Sequence, residues 1–340
     1  DQIQYFKVTQ YFFFKQWGEL KDYANQRGIK IIGDMPIYVA ADSVEVWTKP
    51  ELFQLDKERN PLFVAGVPAD QFSATGQLWG NPLYDWEEHK KQGYTWWIHR
   101  IEESFKIYDV LRIDHFKGFS DYWQVDGKAD IAKYGSWQPG PGYDLFKVVK
   151  EQLGDLPIIA EDLGNIDEKA RKLLTDCNYP GMKILQFGFE DVSGKSLDSP
   201  HYCIPHSIAY TGTHDNDVTN GWYNGLTAQQ QQYINDYTHR HNDESICQAM
   251  IRQLFATVNN TAIATMQDIL DSPASSRMNI PSTIGGNWQW RMQKSDLTQD
   301  KKDFLAKMTT LYQRANQEIP MIKFSTFVKN KTNKSLEQLS

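Results

Sequence analysis

The sequence predicts an α/β chain folded as a (β/α)8 TIM-type barrel, and three observations predict it. Short β-branched apolar runs alternate with amphipathic stretches, the pattern of buried parallel strands joined by helices. Acids recur at the C-terminal ends of those runs, at Asp34, Asp114, Glu161, Asp215 and, more weakly, Asp268. In a barrel such ends converge on one face, whereas in an open sheet they would spread along a line. The Gly-rich strand-to-helix turn of a nucleotide-binding sheet is missing, with neither GxGxxG nor GxxxxGKS/T present.

The apolar runs fall at residues 30–39 (KIIGDMPIYV), 110–116 (VLRIDHF), 156–163 (LPIIAEDL), 182–189 (MKILQFGF), 207–215 (SIAYTGTHD) and 262–270 (AIATMQDIL). Each has the length and content of a strand covered on both faces. Helices are expected between them at 12–27, 95–108, 143–153, 167–176 and 228–237, with further candidates at 245–258 and 300–315. These are six strand–helix units where a closed barrel needs about eight. The first two units are therefore expected upstream, with residues 1–340 forming the catalytic barrel portion. Two long excursions, at 41–93 and 120–142, interrupt the alternation. Loops of this length in a compact domain are usually functional.

Composition narrows the function. A net charge of −7 without a basic run argues against a nucleic-acid surface, and no apolar stretch has the length of a membrane span. The opening segment lacks the order of a secretory signal. Cys177, Cys203 and Cys247 cannot all pair and show no metal-ligand spacing, so they read as thiols of a reducing compartment, the cytoplasm. Aromatics make up 13% of the chain, with 11 Trp and 17 Tyr. Such rings stack on sugar faces, or fill a large core.

Three segments carry chemistry. In Arg112-Ile113-Asp114-His115, alternation puts Arg112 and Asp114 on one inward face. The arginine would keep the carboxylate ionised and oriented, as a nucleophile requires; a buried ion pair is the structural alternative. Glu161 follows an apolar strand, where poor solvation would raise its pKa and suit a general acid, while Asp162 is better placed to cap the next turn. In 210–217 (YTGTHDND), His214 and Asp215 could grip vicinal sugar hydroxyls; a His/Asp/Asp metal site is the rival, without a second His at ligand spacing.

The stretch 63–86 (FVAGVPADQFSATGQLWGNPLYDW) shows little helix or strand pattern. It reads as an ordered loop offering stacking faces at Phe72, Trp79 and Tyr84 and hydroxyl partners at Asp70, Gln77 and Asn81. A similar mix stands at 285–291 (GGNWQWR). Paired carboxylates of a retaining glycosidase-type site, about 5–5.5 Å apart, would unite these features.

These segments resemble the amylomaltases, the 4-α-glucanotransferases or disproportionating enzymes of glycoside hydrolase family 77. The resemblance runs from GIKIIGDMPIYVA through VLRIDHFKGF, IIAEDLG, MKILQFGF and YTGTHDND to RMN and GNWQWR, with GVPADQFSATGQLWGNPLYDW the most specific match. It implies Asp114 as nucleophile, Glu161 as acid/base and Asp215 as the acid that stabilises the transition state. It also implies substrate contacts at Arg112, His115, His214 and Asp34, and at Asp70, Phe72, Gln77, Trp79 and Asn81 in the covering loop. The implied reaction moves an α-1,4-glucan segment from a maltodextrin donor to glucose or a glucan acceptor, without cofactor or metal. A hydrolase or debranching activity is the neighbouring alternative, and a non-catalytic glucan-binding protein the remoter one. Gln71 stands where the family commonly has an aromatic, and Ser282 where it usually has Gly.

Overall fold

The computed structural model describes residues 2–69, 73–164 and 166–315. Contacts divide the chain into two compact units, residues 1–291 and 292–340. In the second, the described residues include the helix Gln299–Leu311.

Among the described residues, ten strands run in chain order: β1 (Ile32–Pro36), β2 (Phe63–Val67), β3 (Gln77–Pro82), β4 (Val110–Asp114), β5 (Asp121–Asp126), β6 (Ser136–Pro139), β7 (Ile158–Ala160), β8 (Gly181–Ile184), β9 (Ser207–Tyr210) and β10 (Thr261–Ile263). Two three-stranded sheets are wholly parallel, β1-β4-β7 and β8-β9-β10. All six expected strands are present, and the chain is α/β. The sheets meet at β7 and β8. There the Ala160 N–H donates to Pro180 O at 3.0 Å, and Asp162 Oδ1 accepts the Met182 N–H at 2.6 Å.

Helices cross between consecutive parallel strands, as parallel pairing demands. Thr95–Ile107 buries Trp97, Ile98 and Ile101, and Tyr143–Leu153 buries Leu145, Phe146 and Val149. With Leu111, Ile113, Ile158 and Ala160 they form one core. Alternation turns Ile159 to the other face, where it packs with Met182, Ile184, Ile208 and Tyr210. Gly33 is needed for this fit, since a Cβ there would sit 2.0 Å from the Tyr108 ring.

Two expectations are corrected. The runs 182–189 and 262–270 are not single strands: β8 ends at Ile184 with Leu185–Glu190 helical, and β10 ends at Ile263 with Met266–Ile269 helical, because a continuous apolar run does not distinguish the two periods. The stretch 63–86 is not plain loop. It supplies β2 and β3 of a four-stranded antiparallel sheet ordered β3-β2-β5-β6, whose other half comes from the second excursion. The pattern was hidden by a register shift between Val64 and Gly66. A Cβ on Gly66 would lie 2.5 Å from Gln77 O.

Among the described residues, no helix is long and apolar enough to cross a membrane.

Candidate active site

The C-terminal ends of β1, β4 and β7 place three acids around one arginine. Parallel register sets Asp34 opposite Arg112, with Asp114 two residues further along the same face. Arg112, only 7% exposed, donates from Nη1 to Asp34 Oδ1 at 2.6 Å and to Asp114 Oδ1 at 2.8 Å. Such charge-assisted bonds fix both carboxylates in orientation. Desolvation lowers the guanidinium's pKa, but the charges of Asp34, Asp114 and Glu161 outweigh it and push the group above its ordinary value.

Glu161 hangs from the end of β7 over the end of β4. Its Oε2 accepts the His115 N–H and its Oε1 the Leu163 N–H, both at 2.8 Å. His115 has left-handed backbone, φ 50°, an uncommon conformation for a non-glycine residue and one found at functional turns. That turn aims its N–H at Glu161. Desolvation by burial and the Asp114 charge raise the Glu161 carboxyl to about 7, against the pull of Arg112 and the two amides. A carboxyl poised near neutrality can donate a proton and take one back. Burial pushes the His115 ring the other way, down to about 4, so it is neutral at pH 7.

The second parallel sheet contributes from across the site. Tyr210 at the end of β9 and His214 beyond it lie within electrostatic reach of Asp34. Asp215 is held at three points. Asn279 Nδ2 donates to its Oδ1 at 2.7 Å, His214 Nε2 lies 3.3 Å from its Oδ2, and Arg277 Nη2 donates to its carbonyl at 2.7 Å. The Trp288 ring lies over His214, centroids 5.1 Å apart.

The covering stretch reaches the site through Trp79. Its ring meets His115 edge-on at 4.8 Å, and Gln77 Oε1 accepts its indole N–H at 3.3 Å. Asn81 Nδ2 is spent on Val39 O at 2.9 Å, which pins β3 to the turn after β1. Asp70 and Phe72 lie outside the described residues. Tyr84 is no stacking face. It is 1% exposed, donates its hydroxyl to Ile37 O and packs among Trp86, Trp96 and Trp97. Asp268 likewise faces no site, being 2% exposed and bonded to Thr211 Oγ1 and the Thr219 N–H.

Sequence reasoning missed the work of Arg277 and Asn279, which stood only as part of a motif match; an Arg-Met-Asn stretch far along the chain carries no local sign of what it touches. Ligand atoms of His99, Glu102 and Glu103 approach within 4.8 Å on an exposed helix face, as solvated i, i+3, i+4 acidic faces commonly do.

A family model described as 4-alpha-glucanotransferase matches residues 1–298. The chain belongs to the 4-alpha-glucanotransferase family. It is 51% identical over 324 residues to the 4-alpha-glucanotransferase of Streptococcus pneumoniae, covering 95% of this chain and 64% of that one. To the 4-alpha-glucanotransferase of Clostridium butyricum it is 45% identical over 318 residues, 92% of this chain and 65% of that one. The solved structure "Amylomaltase from Streptococcus agalactiae in complex with acarbose" superposes with a TM-score of 0.91 at 60% identity, covering 92% of this chain and 63% of that one. The chain thus spans a little under two thirds of the length of these family members.

Proposed function

We propose that the protein is a retaining 4-α-glucanotransferase that moves α-1,4-glucan segments between maltodextrins. Asp114 attacks the anomeric carbon of the donor as the bond from that carbon to the leaving 4-oxygen breaks, and Glu161 gives its proton to that oxygen. The acceptor's 4-hydroxyl then attacks the glycosyl–Asp114 ester, Glu161 takes the hydroxyl proton, and the carboxylate of Asp114 leaves. Two inversions give net retention, and the proton balance closes without cofactor or metal. Asp215, with His214, grips ring hydroxyls and strengthens its contacts as the ring distorts. Arg112 and Asp34 set the floor under the nucleophile. His115, Gln77, Trp79, Asn81, Asp70 and Phe72 contribute to the substrate-binding surface.

One observation carries this reading. An arginine-bound carboxylate and a second carboxyl raised to about 7 sit at the ends of adjacent parallel strands, joined through the His115 amide. The acarbose bound by the Streptococcus agalactiae relative supports an α-glucan as substrate. We read the six parallel strands as part of a (β/α)8 barrel carrying the inserted antiparallel sheet, and residues 1–340 as its catalytic portion. Free thiols at Cys177, Cys203 and Cys247 suit the cytoplasm.

Maltotriose given to the complete protein tests the function. A ladder of longer maltodextrins with glucose is the expected product. Maltose and glucose alone would make it a hydrolase, and no turnover with retained maltodextrin binding would make it a binding protein. Asp114→Asn is expected to abolish transfer, by about 10⁴-fold or more, while maltodextrin still binds by calorimetry.

A further inference from the structure

Lys117 lies three residues beyond Asp114, in the short turn Phe116–Phe119 that follows the candidate nucleophile. It is a partly buried cation, its side chain 11% exposed. Its ammonium donates to Asp121 Oδ1 at 2.5 Å and to Asp167 Oδ2 at 2.7 Å, and stands 4.6 Å from the centroid of the Trp137 ring. The partners come from different places. Asp121 opens β5 and Trp137 belongs to β6, both of the inserted sheet, while Asp167 caps the helix Glu168–Cys177 that ends the Glu161 loop.

The two loops that bear Asp114 and Glu161 are therefore joined at both ends. Near the strands, the His115 N–H binds the Glu161 carboxylate and the Phe116 N–H binds the Glu161 carbonyl at 3.1 Å. Farther out, Lys117 binds Asp167. Opening the Asp167 contact would leave the partly buried ammonium with Asp121 alone and Asp167 without its cation, so this outer tie resists opening. An ordinary core contact would not explain a lysine here, because burying its charge costs more than burying an apolar side chain of the same length.

We propose that Lys117 is a positioning residue for the proton transfer. By tying the nucleophile turn to the Glu161 loop, it holds the His115 amide against the Glu161 carboxylate and so sets the affinity of that carboxyl for its proton. This rests on the reading of Glu161 as acid/base. An amide N–H bonded to a carboxylate favours the charged form. Loosening the tie weakens that bond and moves the Glu161 titration upward. The other groups facing Glu161 are Asp114 and Arg112 on β4, with Asp34 of β1 bound to the same arginine. None of them contacts Lys117. The charge of Lys117 bears on His115, whose ring is neutral at pH 7.

The experiment is a titration of glutamate carboxyls by ¹³C NMR in the complete protein, with the Glu161 resonance assigned by its loss in Glu161→Gln. Steady-state transfer from maltotriose is measured alongside. Lys117→Met is expected to raise the Glu161 midpoint by about half a pH unit or more. It should also lower kcat by about tenfold with KM changed far less, and the alkaline limb of the rate profile should move with the midpoint. Lys117→Arg, which keeps the cation, should restore most of both. Should Lys117→Met fail to fold, Asp167→Asn decides. It keeps a side-chain oxygen for the helix cap but removes the charge that Lys117 binds. A folded Lys117→Met or Asp167→Asn with an unmoved Glu161 midpoint overturns the proposal, even if activity has fallen. Loss of the maltodextrin ladder in the unaltered protein breaks the functional reading instead, and leaves the titration to judge Lys117.

Discussion

Both parallel sheets carry acids at or beyond the C-terminal ends of their strands, Asp268 in the short helix Met266–Ile269 that follows β10, and hold them in opposite ways. In β1-β4-β7, Asp34 and Asp114 share one guanidinium nitrogen and remain 41% exposed at their side chains, so each keeps free lone pairs turned toward solvent. Glu161 is held by backbone amides alone. In β8-β9-β10, Asp268 is buried with both oxygens spent on Thr211 and Thr219, the residues that bracket the loop carrying Asp215. At the seam, Asp162 binds the Met182 amide and fills the space over Gly181. Position at a strand end is thus not enough. An acid can do chemistry when the scaffold orients it without saturating it.

The largest test of that contrast is Glu161→Gln. Transfer should fall by about 10²–10⁴-fold, the usual loss on removing a general acid/base. Stability should move the other way, with a sign set by the raised pKa. An ordinary glutamate titrates at 4.5 and this one at about 7. Folding therefore carries no penalty from it below 4.5 and loses stability as pH rises through about 7, where the buried group must ionise. The glutamine variant escapes that loss, so at pH 8 it should be the more stable, by up to about 3 kcal/mol. Urea melts at pH 4 and pH 8 check this. An equal gain at both would mean that Glu161 is a packing residue.

The acid in the second sheet should respond in reverse. Asp268→Asn replaces a saturated carboxylate by an amide that cannot accept on both sides, and two buried bonds weaken. A loss of about 2–3 kcal/mol is expected, read as a lower denaturation midpoint. The alkaline limb of the rate profile should stay where it is. A displaced limb would put Asp268 in electrical contact with the site and erase the contrast.

Much of this arrangement was legible in the chain. Buried parallel strands write themselves as β-branched runs, and in 110–114 the Arg-x-Asp spacing gives the inward face directly. Helix 143–153 was readable to the residue, because its apolar positions keep helical spacing up to Gly154. The antiparallel sheet was not legible. Its strands are short, β3 is only partly buried and β6 largely exposed, and the register shifts after Val64. Tyr84 was misjudged because a Tyr in a Gly- and Pro-rich stretch looks like a surface ring, when only the tertiary fold shows that Ile37 takes its hydroxyl. Glu161 stood out from Asp268 in the sequence, but not what holds each, since the amides and hydroxyls that bind them come from other segments of chain.

The smallest effect expected, and the sharpest probe of how an acid is held without being used up, belongs to Asn279. Its amide donates to one oxygen of Asp215, His214 stands at the other, and Arg277 holds the backbone from below. Asn279→Ala removes one neutral-donor bond from a half-buried carboxylate that solvent can still reach, so stability should change by less than about 1 kcal/mol. Catalysis should suffer more than stability. If Asp215 tightens on the sugar only as the ring distorts, a carboxylate free to rotate costs transition-state contacts before it costs ground-state binding, and kcat should fall about tenfold with KM little changed. Rate and affinity for maltotriose, measured together, separate the cases. A raised KM with unchanged kcat would mean that Asn279 serves ground-state binding, and the Asp215 loop would then be a grip for substrate and not part of the reacting centre.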